Sequence, residues 1–146
     1  MTQKDKEILL KDLCARLPYG VRCSFGVDDA VYEITGINPT CYGASEIQAT
    51  HIKSGINGNF TLNNCKPYLF PLSSMTEEQK EELKHEISKQ TEILIERMKN
   101  DDCGIDCGKY HFHSILELEW LLKNQFDFRG LIPKGSALDA TGLNIY

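Results

Sequence analysis

Two cysteines and two histidines lie close together in one short segment of the chain. Cys103, Cys107, His111 and His113 follow the spacing Cys-x3-Cys-x3-His-x-His. Thiolates and imidazoles are ligands that zinc prefers, and four of them complete a tetrahedral site. Side chains alternate along an extended segment, so His111 and His113 are expected on one face of it. This indicates zinc as the one candidate cofactor. The spacing differs from a standard zinc knuckle, and the alternative is an irregular loop with free thiols.

A thiol beside a histidine could also act as a nucleophile, which would make the protein a small Cys–His enzyme. Such a pair forms in space and leaves no fixed spacing in the sequence. The chain has no nucleophile elbow, phosphate-binding loop or zinc-protease motif. The sequence therefore assigns no catalytic residue and favours a non-enzymatic function. The other four cysteines are predicted to be small buried hydrophobic residues: Cys14, Cys23, Cys41 and Cys65.

A third group of residues combines cations with aromatic rings in extended or loop segments. It consists of Tyr19, Arg22, Lys66, Tyr68, Phe128, Arg129 and Lys134. Arg129 can grip a phosphate or carboxylate through two hydrogen bonds, and Gly130 permits close backbone approach. A neighbouring ring could stack on a base. The alternative is structural: the aromatic rings pin the chain to the core, and Arg129 pairs with Asp127 or Glu119.

Three helices are predicted from apolar periodicity and capping signals. Residues 4–16 carry an apolar stripe, with Asp12 and Arg16 outside it. A long helix begins at a capping box on Ser74 or Thr76 and runs to about residue 99. A shorter helix follows, with its apolar residues facing inward. It covers residues 114–124, and its inward residues are Ile115, Leu118, Leu121 and Leu122.

Four short strands are predicted between the first helix and the long one. Residues 21–27 and 30–37 suggest a hairpin, followed by strands at 46–53 and 60–65. The Asn-Gly pair at residues 57–58 favours a turn between the last two strands. The fold class is therefore α+β: an N-terminal helix, a small antiparallel sheet of about four strands, a long helix, a shorter C-terminal helix and an ordered tail. We expect one globular domain over residues 1–146.

Three stretches of the chain carry a family resemblance. They are residues 10–21 (LKDLCARLPYGV), 66–78 (KPYLFPLSSMTEE) and 119–132 (EWLLKNQFDFRGLI). In these stretches the chain resembles small uncharacterised proteins of Bacteroidales genomes, phages and mobile elements. The resemblance implies a bacterial or phage source and supplies no catalytic residues. The segment 103–113 is not part of it.

Charge and hydropathy narrow the classes of partner. The net charge of −5 argues against direct nucleic-acid binding and against anionic membranes, which need a basic face. No apolar run approaches the roughly 20 residues of a membrane span. The N-terminus lacks the apolar core of a signal peptide, so a cytoplasmic location is expected. Residues 100–119 hold five acidic side chains and one basic, a field that would repel a phosphate.

These observations predict a non-enzymatic binding protein of a phage or mobile element. It would sequester a small anionic ligand such as a signalling nucleotide, or bind a host protein, as a counter-defence. The alternatives are a zinc-stabilised interaction module built on residues 103–113 and a small Cys–His enzyme. A homodimer is compatible with the sequence, since most soluble oligomers are symmetric dimers.

Overall fold

The helix predicted at the start of the chain forms in the computed structural model, which describes residues 1–26, 30–39, 45–100 and 109–146. Helix α1 spans Gln3–Arg16 and begins at a capping box between Thr2 and Asp5. It leads into a 3-10 turn that ends at Gly20. A left-handed φ of +69° at Gly20 turns the chain towards the sheet.

The sheet has six strands, and its fold class is the predicted α+β. The strands are β1 (Arg22–Ser24), β2 (Tyr32–Pro39), β3 (Ser45–His51), β4 (Asn57–Thr61), β5 (Lys66–Leu69) and β6 (Leu138–Asp139). Their order is β4-β3-β2-β1-β5-β6. All neighbours are antiparallel except β5 and β6, which are parallel. The sheet thus has two more strands than predicted, because the segment after residue 65 and the tail both join its far edge.

The predicted turn at Asn57 and Gly58 is wrong, because both residues lie in β4 and pair with β3. The left-handed residue of this connection is Gly55, whose φ is +69°. The amide of Gly55 donates to the carbonyl of His51 at 2.8 Å, closing the turn before β4 begins. Strand β4 ends at Thr61, and a 3-10 turn at Leu62–Asn64 occupies half of the predicted fourth strand.

The core lies between α1 and one face of the sheet. Leu9 and Leu13 of α1 are fully buried, and alternate residues at β1 point to the same side: Val21, Cys23 and Phe25. The rings of Phe25 and Phe60 stack with centroids 3.8 Å apart. This cluster belongs to a compact unit made of residues 1–74 and 125–146.

The second compact unit, residues 75–124, contains the two remaining helices. Helix α2 spans Glu77–Asn100 and begins at the Thr76 box, where the Thr76 amide donates to Gln79 Oε1 at 2.9 Å and the Gln79 amide donates to Thr76 Oγ1 at 3.2 Å. Helix α3 spans Lys109–Lys123 and starts five residues earlier than predicted, since no glycine or proline interrupts its first turn.

The inward face predicted for α3 is only partly correct. Ile115 is 59% exposed and Leu118 is 36% exposed, whereas Trp120 and Leu122 are buried. Single exposed apolar residues are normal on a protein surface. Among the described residues, no helix is both long and apolar enough to cross a bilayer.

Candidate anion-binding site

The candidate site is built on a charge pair that α1 holds inside the protein. Asp12 and Arg16 are four residues apart, so they lie one above the other on the helix. Arg16 donates from Nε to Asp12 Oδ2 at 2.7 Å and from Nη2 to Oδ1 at 3.3 Å. Both side chains are fully buried, which corrects the prediction that they lie outside the packed stripe. Asp12 and Arg16 continue the spacing of Leu9 and Leu13, the i, i+3, i+4, i+7 pattern of one helix face.

A loop that follows residue 124 closes over this pair. Arg16 Nη2 donates to the carbonyl of Phe126 at 2.7 Å, a contact between residues 110 positions apart. The Asp127 carboxylate accepts hydrogen bonds from the amides of Leu131 and Ile132, each at 2.8 Å. Asp127 therefore closes the turn, and the predicted pairing of Arg129 with Asp127 is wrong.

Arg129 lies in that turn and reaches back to the same carboxylate. Its Nε donates to Asp12 Oδ1 at 3.1 Å, and its guanidinium carbon lies 4.8 Å from the centroid of the Phe128 ring. The side chain is 31% exposed. Neither Nη atom of Arg129 has a hydrogen-bond partner in the described part of the chain, and neither is buried. The N–H groups of both Nη atoms are therefore available to an external acceptor.

Gly130 allows the backbone turn that carries Arg129. Its φ is +66°, a conformation that residues other than glycine rarely adopt. The guanidinium carbon of Arg16 also lies 5.5 Å from the Phe128 centroid. Phe128 thus packs against two guanidiniums and supports them, a role that sequence reasoning did not give it. The three charged side chains Asp12, Arg16 and Arg129 together carry one net positive charge.

Gln125 and Tyr19 join the two segments at one end of the site. Gln125 Nε2 donates to the Tyr19 carbonyl at 3.2 Å, and the Phe70 amide donates to the Gln125 carbonyl at 2.9 Å. Gln125 adopts a left-handed φ of 60° and is 3% exposed. These hydrogen bonds hold a backbone conformation that is costly for glutamine. The backbone of Tyr19 is therefore tied, through Gln125, to the segment that carries Phe128 and Arg129.

Lys134 lies further along the same loop region and is exposed. It faces the start of α1, where the hydrogen bonds from Thr2 lower the pKa of Asp5 and the charge of Lys134 adds a smaller effect in the same direction. It makes no contact that ties it to Arg129. Lys134 therefore offers a basic side chain that can be changed as a control for Arg129.

The structure places Arg22, Lys66 and Tyr68 in a different cluster, on β1 and β5. The guanidinium of Arg22 donates to the Ile145 carbonyl and packs on the Tyr146 ring, 5.5 Å from its centroid. Tyr146 accepts from the Arg22 amide at 3.1 Å and donates to the Tyr68 carbonyl at 2.8 Å. Lys66 is exposed and Tyr68 is 9% exposed. Arg22 and Tyr68 anchor the C-terminal tail to the sheet through Ile145 and Tyr146.

Tyr146 was not predicted to take part in either cluster. Although 42% of its surface is exposed, its hydroxyl is held between two backbone groups. Burial of the phenol raises the pKa of Tyr146 to about 12, against smaller opposing effects from the Arg22 amide and nearby arginines. The only sequence signal for it is an aromatic residue at the end of the tail.

Two of the four predicted zinc ligands, Cys103 and Cys107, lie outside the described residues. The backbone of His111 and His113 is helical and belongs to α3, whereas an extended segment was predicted there. In the part of the chain that the structure describes, no group of three His, Cys, Asp or Glu side chains is placed to hold a metal ion. Zinc binding stays a prediction.

The remaining cysteines differ in environment. Cys23 and Cys65 are buried as predicted, whereas Cys14 is exposed, which corrects the prediction for it, and Cys41 lies outside the described residues. The Cys23 thiol lies 3.7 Å from the Tyr32 carbonyl. A hydrogen bond with Cys65, together with burial, raises the pKa of Cys23 far above the ordinary range of a thiol. Cys23 is thus held protonated, which is the opposite of an activated nucleophile.

Comparison of the chain with protein-family models, with curated proteins and with solved structures yields no match. The interpretation of the site therefore depends on its own geometry. That geometry offers an arginine, Arg129, whose Nε is held by a buried carboxylate, whose guanidinium packs on an aromatic ring, and whose Nη atoms have no partner among the described residues.

Proposed function

We propose that this chain is a non-catalytic binding protein for a small anionic ligand, whose phosphate or carboxylate group is held by Arg129. The observation that carries the proposal is that the three nitrogens of the Arg129 guanidinium are used differently. Its Nε is bonded to Asp12, and its two Nη atoms have no partner among the described residues. A guanidinium in this state matches an oxyanion with two parallel hydrogen bonds.

The site is organised before any ligand arrives. Asp12 fixes one edge of the guanidinium, and Phe128 supports one face of it. The Asp127 turn fixes the backbone that carries it. Because few side-chain rotations remain to be frozen, binding an anion costs less conformational entropy than it would at a mobile arginine.

The charges also favour an anion at this position. Arg16 already balances Asp12 through two hydrogen bonds, so the charge of Arg129 is not needed to neutralise the buried carboxylate. A purely structural role would leave this second positive charge unexplained. Together with the resemblance to phage and mobile-element proteins, this supports sequestration of a phosphate-bearing ligand such as a signalling nucleotide as the biological role.

The proposal is tested by thermal unfolding in the presence of inorganic phosphate, a nucleoside monophosphate, or acetate, with sodium chloride at equal ionic strength as reference. Binding to the native state raises the melting temperature as ligand concentration rises. We expect the shift in the wild type and its loss in Arg129→Gln. Lys134→Gln removes the same charge from an exposed residue of the same unit and should keep the shift.

Arg129→Lys provides a second, more conservative variant. A lysine keeps the charge but carries all its donors on one nitrogen, so it cannot bond Asp12 and also present two parallel, coplanar donors to an oxyanion. It is therefore expected to bind far more weakly than the wild type while folding normally. Equal shifts in the wild type and Arg129→Gln, or no shift with any of the three anions, would contradict the proposal and favour a host protein as the partner.

A further inference from the structure

Among the residues that the structure describes, strand β4 forms one edge of the sheet and pairs with β3 alone. Within the described residues, no hydrogen bond is made to its outer edge. Proteins usually protect such an edge with charged side chains, proline, a bulge or a very short strand, because unpaired backbone groups recruit another strand. The sequence of β4 is Asn-Gly-Asn-Phe-Thr, without charge or proline, and its pairing with β3 is continuous over five residues. The opposite edge strand, β6, has only two residues.

The backbone groups that face outward can be identified from the pairing. The amide of His51 donates to the carbonyl of Ile56 at 2.9 Å. Hydrogen-bonded pairs alternate along an antiparallel ladder, so Gly58 and Phe60 direct their backbone groups to β3. Asn57, Asn59 and Thr61 therefore direct theirs to the outside, giving three N–H donors and three C=O acceptors.

We propose that β4 is the contact between two copies of this chain, paired antiparallel about a two-fold axis at Asn59. In this register Asn59 lies opposite Asn59 of the second copy, and Asn57 lies opposite Thr61 of the second copy. Each opposed pair exchanges two hydrogen bonds, so all six outward groups of each strand are satisfied. No like charges meet across the axis, because the side chains of β4 are all uncharged.

The inner face of β4 fits the same register. Gly58 would lie opposite Phe60 of the second copy, and the Phe60 ring of each chain already covers its own Gly58, where an added Cβ would come within 2.8 Å of the ring. The Phe60 ring is fixed by two contacts. It stacks on Phe25, and its edge contacts Tyr32 with the two ring centroids 4.9 Å apart. The strand is therefore ordered before association. Five residues a side form a small interface, so the dimer should dissociate on dilution.

Sedimentation or light scattering over a series of protein concentrations tests this inference, which does not depend on the proposed function. The wild-type mass should rise from 16.6 kDa towards twice that value. Asn59→Lys would place two like charges directly opposite each other at the axis, and it should remain monomeric. Gln48→Lys adds the same charge to an exposed position of β3 and should dimerise as the wild type does.

Hydrogen exchange gives a second readout on the unmodified protein. The amides of Asn57, Asn59 and Thr61 should exchange rapidly in dilute samples and become protected as the mass rises. A wild type that stays at 16.6 kDa at all concentrations would overturn the inference. So would dimerisation of Asn59→Lys to the same extent as the wild type, or protection of these amides in a monomer. Circular dichroism of both lysine variants checks that each is folded.

Discussion

At the scale of single residues, the central feature is one buried carboxylate that serves two guanidiniums. Asp12 accepts from Arg16 and from Arg129, and it is fully buried. Removing charged groups from water is costly, and the pairing of Asp12 with Arg16 offsets that cost only while both partners are present. Asp12 therefore stabilises the fold and positions the proposed ligand-binding arginine.

Replacing Asp12 with alanine should be strongly destabilising. The change leaves the buried guanidinium of Arg16 without its carboxylate, and breaking a buried pair in this way costs about 3–5 kcal/mol. Urea unfolding measures the loss. Glu7→Ala, an exposed change on the same helix, should alter stability by no more than about 0.5 kcal/mol. A loss for Asp12→Ala as small as that of Glu7→Ala would contradict the structural role.

Tyr146 should make stability depend on alkaline pH. Its pKa is raised to about 12 in the folded protein, so the native state favours the protonated phenol. The resulting stabilisation is fully present below pH 10, the ordinary pKa of tyrosine, and is lost as the pH rises through about 12. The unfolding free energies of the wild type and Tyr146→Phe should therefore differ at neutral pH and converge in alkali. A constant difference across this pH range would show that the phenol proton plays no part.

At the scale of elements, α1 and the strands give the cysteines very different access to solvent. Cys14 is exposed on α1, whereas Cys23 lies in β1 and Cys65 directly precedes β5, both fully buried. The contrast follows from which face each element turns towards the core. It also separates the thiols that can react from those that cannot.

A short pulse of iodoacetamide, followed by peptide mass mapping, should label Cys14 quickly and Cys23 and Cys65 slowly. The two buried thiols lack access, and the raised pKa of Cys23 keeps it in the unreactive form. Labelling in denaturant should make all three equal. Rapid labelling of Cys23 in the native protein would revive the interpretation as a Cys–His enzyme.

The elements show where sequence patterns succeed and where they stop. Local signals predicted α1 and the Thr76 start of α2, because capping and apolar period are properties of neighbouring residues. The position of β4 was missed because pairing with β3 overrode the turn preference of Asn57 and Gly58. Strand β5 joins the sheet through the pairing of Cys23 with Pro67, and β6 joins it through the pairing of Tyr68 with Leu138. Both contacts link residues far apart in the sequence, which no local pattern records.

The candidate site was predictable to a similar degree. The cation and aromatic types singled out Arg129 and Phe128, whose side chains are in contact, and Tyr19, whose backbone is tied to the same segment through Gln125. Asp12 and Arg16 were missed because charged residues on an apolar stripe look like breaks in it. The charge of Arg16 is accommodated by Asp12 and by the carbonyl of Phe126, and the second of these contacts joins residues too distant in the sequence for any local pattern to record.

At the scale of the whole molecule, the acidic excess is confined to one part of the sequence. Residues 75–124 hold twelve acidic and seven basic side chains, whereas the rest of the chain holds nine of each. The unit that carries Arg129 is therefore neutral overall. An anion approaching Arg129 meets the local positive charge without a net repulsive field from the unit around it.

The most direct test of this account follows the Arg129 side chain itself by NMR while inorganic phosphate is added at constant ionic strength. The Nε–Hε signal, assigned by its absence in Arg129→Lys, should shift progressively and saturate as the Nη atoms bind the oxyanion. The same shift should appear with a nucleoside monophosphate. A signal that stays in place, or saturable shifts that arise only at Lys66 or Lys134, would contradict the assignment of Arg129 as the anion-binding residue.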